Sequence, residues 1–162
     1  MKKGIIILLT ILVTSGFTQD NYYKPKYSTT LESSKGEQIL KQCSRETPKN
    51  ISSYWTPTQN DIERLEAQFM KVKDIKANAC CLINGTIRTL DNFGFQYIGV
   101  TIKKKKYIYL NAFHVDNDAD FSTFYKNWKT DPIIMCDGGD YYWGVLFDLD
   151  KLKFSDLAIN GV

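Results

Sequence analysis

The chain has 162 residues, 43% of them hydrophobic and 24% charged, with 21 basic against 18 acidic side chains. That length predicts one domain around one core. Lys2 and Lys3 sit in the leader described next, and without them the formal charge falls from +3 to +1; so balanced a chain argues against nucleic acid, which calls for a clustered basic face.

Met1, Lys2 and Lys3 open the chain, an apolar run follows from Ile5 to Val13, and Ser15 and Gly16 precede the polar Thr18, Gln19 and Asp20. This is the pattern of a secretory signal peptide over residues 1–18. A retained anchor would need about 20 apolar residues, and Thr10 and Thr14 interrupt this shorter run, so stable membrane insertion is not expected. The expected product is an exported protein, periplasmic or secreted after cleavage. Residues 19–33 read as an extended arm rich in Tyr, Lys and Thr. Tyr22, Tyr23 and Tyr27 could strap across the domain or meet a partner, and a loosely ordered tail is the plainer expectation. Residues 34–162 form the domain proper.

Ser34 with Glu37 three residues later has the spacing of a capping box, predicting a short helix that carries Ile39, Leu40 and, in its last turn, Cys43. A second start lies at Thr56, with Pro57 at the first helical position and Gln59 completing the box. Ile62, Leu65, Phe69 and Val72 then recur at three- and four-residue steps, one apolar stripe of the main helix. Asn84-Gly85 marks a turn and residues 86–90 a possible strand. Ile98, Val100 and Ile102 alternate with Tyr97, Gly99 and Thr101 over residues 93–102, the period of a half-buried strand. Lys103, Lys104, Lys105 and Lys106 separate it from a second alternating run, 107–113, so a hairpin with a lysine loop is expected. Phe121, Phe124, Tyr125 and Trp128 fall at helical intervals that would lay aromatics on the core. The C-terminal region reads as a short strand at 133–136, a turn at 137–140, a strand at 141–147 with Trp143, Val145 and Phe147 on one face, a turn at 148–151 and a closing strand at 152–159.

A main helix followed by strands joined through short turns predicts an α+β domain, the helix packed on a four- to five-stranded antiparallel meander. By analogy this looks like cystatin- or NTF2-like topology, which fixes no function.

Cys43, Cys80, Cys81 and Cys136 are an even number in an exported chain, so disulfides are expected. Adjacent cysteines rarely bridge each other, which sends Cys80 and Cys81 to different partners, Cys43 and Cys136, in an order that spacing leaves open. Zinc is not expected, with one histidine and no CxxC. Asp116, Asp118 and Asp120 alternate as in a calcium loop, but Phe121 stands where the turn glycine belongs and Asn127 where the bidentate glutamate belongs, so an acidic surface loop is the expectation. No metal and no cofactor is called for. His114 would have to serve any histidine-based hydrolysis, yet no motif nominates a nucleophile.

Two stretches are candidate binding sites. Lys103 to Lys106 could grip an anionic surface or simply guard an exposed hairpin tip. Asp137, Gly138, Gly139, Asp140, Tyr141 and Tyr142 combine a flexible diglycine with aromatics of the kind that anchor interfaces, and a tight hairpin with buried aromatics is the competing reading. Cys43-Ser44-Arg45, the Trp55-Thr56-Pro57 helix start, Cys136-Asp137-Gly138-Gly139, Trp143-Gly144-Val145 and the closing Asn160-Gly161 together resemble a pattern in small exported bacterial proteins of unassigned activity. That resemblance spans most of the mature chain; it implies a single bacterial envelope domain and carries over no site.

Three functions fit. The first is an exported envelope binding protein, an inhibitor or immunity protein that neutralises a toxin or hydrolase by direct protein–protein contact through loops at one end of the sheet. An envelope hydrolase using carboxylates such as Asp137 and Asp140 is the second. A surface-assembly component docking through the tyrosine arm is the third. Oligomeric state is left open by all three.

Overall fold

A computed structural model of the chain describes residues 23–77 and 85–161. In chain order the elements are β1 (Tyr27–Thr30), a 3-10 turn (Ser33–Lys35) leading into α1 (Gly36–Ile39), β2 (Ile51–Trp55), α2 (Gln59–Glu66), a 3-10 segment (Phe69–Asp74), β3 (Phe93–Ile102), β4 (Lys105–His114), α3 (Asp120–Thr123), a 3-10 turn (Gly139–Tyr141), β5 (Tyr142–Asp148) and β6 (Lys153–Ile159). The α+β expectation holds. β3 to β6 form an antiparallel meander, but the sheet has six strands, not four to five. β1 runs parallel to the first half of β3, pairing Tyr27 with Gly94, and β2 runs antiparallel to its second half, pairing Trp55 with Gly99. Over 27–30 the chain is a strap within the sheet and not a loose tail. Both additions are short and polar, YSTT and ISSYW, with too little alternation to announce a strand.

The apolar stripe packs as its period predicts. Ile62, Leu65, Phe69 and Val72 are buried against Phe95, Tyr97, Leu110, Trp143, Val145 and Phe147. The long helix itself is replaced by eight α-helical residues and a 3-10 continuation. Three-residue spacing serves both forms, because side chains at i and i+3 eclipse in a 3-10 helix, and so Phe69 and Val72 stay on the stripe.

The half-buried reading of β3 is corrected: both faces of β3 and of β4 are covered. Phe95 and Tyr97 face α2, while Ile98, Val100 and Tyr109 join Leu31, Ile39 and Leu146 in a second core on the opposite face, roofed by α1 and the residues that lead into it. A third cluster of Phe113, Val115, Tyr125 and Trp128 closes one end of that face. Helical spacing of the aromatics at 121–128 therefore found two of the four buried side chains it predicted; α3 spans only four residues and leaves Phe124 in solvent. Residues 86–90 form no strand, although Ile87 and Leu90 are buried.

Helix starts also differ from expectation. The capping box is Thr58 with Asp61, not Thr56 with Gln59. A carboxylate at the third helical position answers the positive end of the helix dipole better than an amide, and the Thr56 hydroxyl instead accepts the Ser33 N–H at 3.0 Å. No capping bond forms at Ser34; Glu37 pairs with Lys41 at 3.0 Å, and α1 ends before Cys43.

The lysine loop shrinks to two residues. Ile102 pairs with Lys105, so Lys105 and Lys106 belong to β4, and Lys103 (φ 49°) and Lys104 (φ 64°) alone make the turn. Two consecutive positive φ values are those of a type I′ turn, whose twist matches a hairpin and whose usual residues are Asn-Gly. Lysine accepts this conformation at a cost of about 1 kcal/mol per residue. Lys104→Gly should therefore raise stability by about 1 kcal/mol, or Tm by about 2–4 °C in thermal melts.

Glu66, at the end of α2, is only 6% exposed and accepts the Tyr97 hydroxyl at 3.2 Å. Burial raises its carboxyl above the ordinary range, against the lowering effect of the Tyr97 bond and of Lys24. The unfolded chain titrates this group at the ordinary value, so its contribution to stability is full at low pH and is lost as pH rises through the raised folded value. Glu66→Gln should raise Tm at pH 7, and melts repeated at lower pH should show that gain shrinking to nothing below about pH 4.

Candidate functional site

Arg45 organises one end of the sheet. Its side chain is 7% exposed and, among the described residues, no carboxylate meets it; Nη1 donates to Asn160 Oδ1 at 2.7 Å, Nη2 donates to Asn111 Oδ1, and Nε and Nη2 both lie 3.4 Å from the Tyr109 hydroxyl. Asn111 and Tyr109 stand on β4 in the second face, next to Gly144 on β5. A Cβ at 144 would run into the Tyr109 hydroxyl, so glycine is what lets that ring reach Arg45. Each amide passes the pattern on. Asn111 Nδ2 donates to Gln96 Oε1 at 3.0 Å and to the Ile133 carbonyl at 2.9 Å; Gln96 Nε2 donates to the carbonyls of Trp128 and Asp131. Asn160 Nδ2 donates to the carbonyls of Met135 and Asp137.

The short strand expected at 133–136 is therefore absent for a definite reason. The backbone groups of Ile133 and Met135 are met by the amide side chains of Gln42, Gln96, Asn111 and Asn160 and not by a neighbouring strand. Cys136 bonds to Cys43, with Cα atoms 4.7 Å apart across 93 residues of sequence. This corrects the expected pairing of both with Cys80 and Cys81, which lie outside the described residues. Gly139 N–H donates to the Gly161 carbonyl at 3.0 Å, and Gly161 N–H to the Ser44 hydroxyl at 3.2 Å. The motifs at 43–45, 136–139, 144 and 160–161 are thus one interlocked structure.

On that base stands a cleft of about 250 Å³, lined among others by His114, Asp116, Phe124, Met135 and Tyr141. Tyr141 is 54% exposed and its ring lies 4.4 Å from that of His114; Phe124 is 73% exposed. His114 Nδ1 is 3.4 Å from Asp116 Oδ1. The Tyr125 and Tyr142 hydroxyls share a 2.8 Å bond below, and burial, reinforced by Tyr142, raises the Tyr125 pKa. The acidic loop holds itself: Asp120 Oδ2 accepts the N–H groups of Asp116 (2.7 Å) and Asn117 (3.3 Å). Asp118 bonds the Tyr27 hydroxyl and Lys26, which together hold its carboxyl below the usual range. Among the described residues no three His, Cys, Asp or Glu side chains are placed to hold a metal ion.

The two sequence-predicted stretches are not brought together. Asp137, Gly138 and Asp140 are exposed, Gly139 is buried at φ +54° beside Gly138 at φ +88°, and Tyr142 is half-buried, all at the end of the sheet where Phe113 pairs with Tyr142. Lys103, Lys104, Lys105 and Lys106 are exposed at the opposite end. Alternation sends Tyr141 and Tyr142 to opposite sides, and only Tyr141 keeps a free face. Phe124 and the Arg45 network were not singled out by the sequence. Gln96 and Asn111, polar residues inside apolar strands, were the available signal for the network; nothing marked Phe124 as the one aromatic of its group to stay in water.

Removing Arg45 would strand two buried amide oxygens and a hydroxyl. Arg45→Ala should destabilise the domain by about 3 kcal/mol, and Arg45→Lys by nearly as much, because a point ammonium cannot span three acceptors as the guanidinium fork does. The Cys43→Ser/Cys136→Ser variant should lose about 2–4 kcal/mol. Urea titrations of single and combined variants should show a combined loss smaller than the sum, since both devices hold the same segment. No family model, curated protein or solved structure matches this chain.

Proposed function

We propose that this chain is an exported binding protein of the bacterial envelope, an inhibitor or immunity protein that neutralises a toxin or hydrolase by direct contact, and that it meets its target with the His114–Tyr141 end of the sheet. The observation that carries this reading is the pair Phe124 and Tyr141. They are two of the three large apolar side chains exposed among the described residues, and they flank one cleft. Aromatic anchors dominate interface energetics, the more so when their positions are fixed before binding. Here the turn that bears Tyr141 is fixed by the disulfide and by Asn160. Asp116, Asp137 and Asp140, all exposed nearby, give the rim a negative character that suits a basic target face.

Hydrolysis has less support. Among the described residues the cleft lining contains no Ser, Thr or Cys to act as nucleophile beside His114, and Asp120 Oδ2 is already occupied by two backbone N–H groups. Assembly through the arm is also less favoured, because Tyr27–Thr30 already pairs within its own sheet. The leader pattern and the Cys43–Cys136 bond support export.

Affinity capture from envelope extract tests the reading with the mature wild-type domain and the Phe124→Ala/Tyr141→Ala variant side by side. The expected outcome is a specific captured protein whose recovery falls by at least about tenfold with the variant, and whose activity the wild type suppresses. Equal recovery with both proteins, the variant's melting temperature being unchanged, would overturn the interface, and a captured enzyme left fully active would overturn inhibition.

A further inference from the structure

Strand register gathers lysines from separate parts of the chain at the end of the sheet opposite the cleft. Lys103 to Lys106 form the β3–β4 turn and the start of β4. Tyr107 pairs with Asp148 and Asp148 with Lys153, which sets the β5–β6 turn, with Lys151, beside them. Ile51 pairs with Ile102, which brings Lys49 to the same end. All seven are exposed. Carboxylates answer only part of this charge: Lys49 is 3.5 Å from Glu46 and Lys151 is 4.0 Å from Asp148, whose other oxygen caps its own turn by accepting the N–H groups of Asp150 and Lys151. Asp150 and Asp156 are further exposed acids on this side, and Arg64 adds a cation at the Leu149 carbonyl. Among the described residues Lys103, Lys104, Lys105, Lys106 and Lys153 have no salt-bridge partner; Lys106 lies 4.7 Å over the Trp55 ring. At about 3.3 Å per residue, ten-residue β3 places this end roughly 30 Å from the acidic, aromatic one.

We infer that this lysine end is a docking surface for an anionic phospholipid bilayer, on which the domain stands end-on with its His114–Tyr141 cleft pointing away. Lys103 to Lys106 and Lys153 are mobile point charges suited to a diffuse layer of headgroups; recognition of a single phosphate favours the fixed fork of arginine, and Arg64, the arginine beside the β5–β6 turn, already donates to the Leu149 carbonyl. Lys103 to Lys106 crown a turn, and the clefts of about 290 and 300 Å³ beside them set Lys49, Lys151 and Lys153 against Asp148 and Asp156, so acids interrupt the track that a linear polyanion would need. Adsorption of this kind inserts nothing, in keeping with the absence, among the described residues, of a helix long and apolar enough to cross a membrane. It stands independently of the target proposed above.

Each lysine near an anionic leaflet strengthens binding roughly fivefold, and the attraction fades with salt. The test is co-sedimentation of the mature protein with vesicles of phosphatidylglycerol and phosphatidylcholine, and with phosphatidylcholine alone. The variant Lys103→Asn/Lys104→Gly removes two charges while installing the preferred type I′ pair, so it folds at least as well as the wild type, which a thermal melt verifies. Lys105→Gln and Lys153→Gln are then added. Binding is expected to the anionic vesicles alone at low salt, to fall on the order of 25-fold in the double variant, to fall further in the quadruple variant, and to vanish with added salt. No sedimentation at low salt, or full sedimentation of the quadruple variant, would overturn the proposal. So would retention of the wild type by soluble polyphosphate without any binding to vesicles, which would assign the lysines to a free polyanion.

Discussion

A buried guanidinium held by amide and hydroxyl oxygens is the constraint on which the rest of this domain depends. Taking a cation out of water is costly unless its donors are met, and Arg45 is met by two asparagine oxygens and one tyrosine hydroxyl drawn from β4 and from the residue that follows β6. Those groups can converge only if β4, β5 and β6 hold their register and if position 144 carries no side chain. The amide nitrogens left over on Asn111 and Asn160 then fix the irregular segment at 131–137, which has no strand to lean on. One local requirement thereby shapes the meander, the disulfide-bearing loop and the platform beneath the cleft.

The second organising feature is that the sheet is covered on both faces but left open at both ends. β3 buries Phe93, Phe95 and Tyr97 toward α2 and Ile98 and Val100 toward α1, so neither face offers a broad binding surface. What can meet a partner is pushed to the ends, and those ends differ in chemistry. One collects acids and exposed aromatics, the other lysines. A chain with almost no net charge is strongly divided along one axis, and two contacts of opposite character can be made without competing for the same surface.

Much of the fold was legible in residue patterns. β3 is found at the bounds its alternation indicated, the stripe at 62, 65, 69 and 72 packs on the sheet, and Trp143, Val145 and Phe147 share one face. These succeed because periodicity reports directly which side of an element meets the core. The failures are of another kind. Thr56 and Ser34 have the spacing of helix caps, but a hydroxyl takes whichever partner the tertiary structure brings: Ser33 N–H bonds to Thr56, and Asp61 makes Thr58 the cap. Alternation over 93–102 suggested a wet side at Tyr97, Gly99 and Thr101, since a pattern cannot distinguish a tyrosine facing water from one whose hydroxyl meets a buried carboxylate. Cysteine spacing likewise says nothing of which sulfurs meet.

By itself the sequence determined the class of fold, the period and facing of its main apolar runs and the residues from which any site would be made. These follow from short-range chemistry and from composition, which are the same in every conformation. The tertiary structure alone decided that Cys43 meets Cys136, that motifs scattered from 43 to 161 close on Arg45, that Tyr141 is exposed while Tyr142 is tied to Tyr125, and that the two candidate binding stretches lie at opposite ends of the sheet. Each of these depends on strand register and on contacts between residues tens of positions apart, information that appears only when the chain has closed on itself.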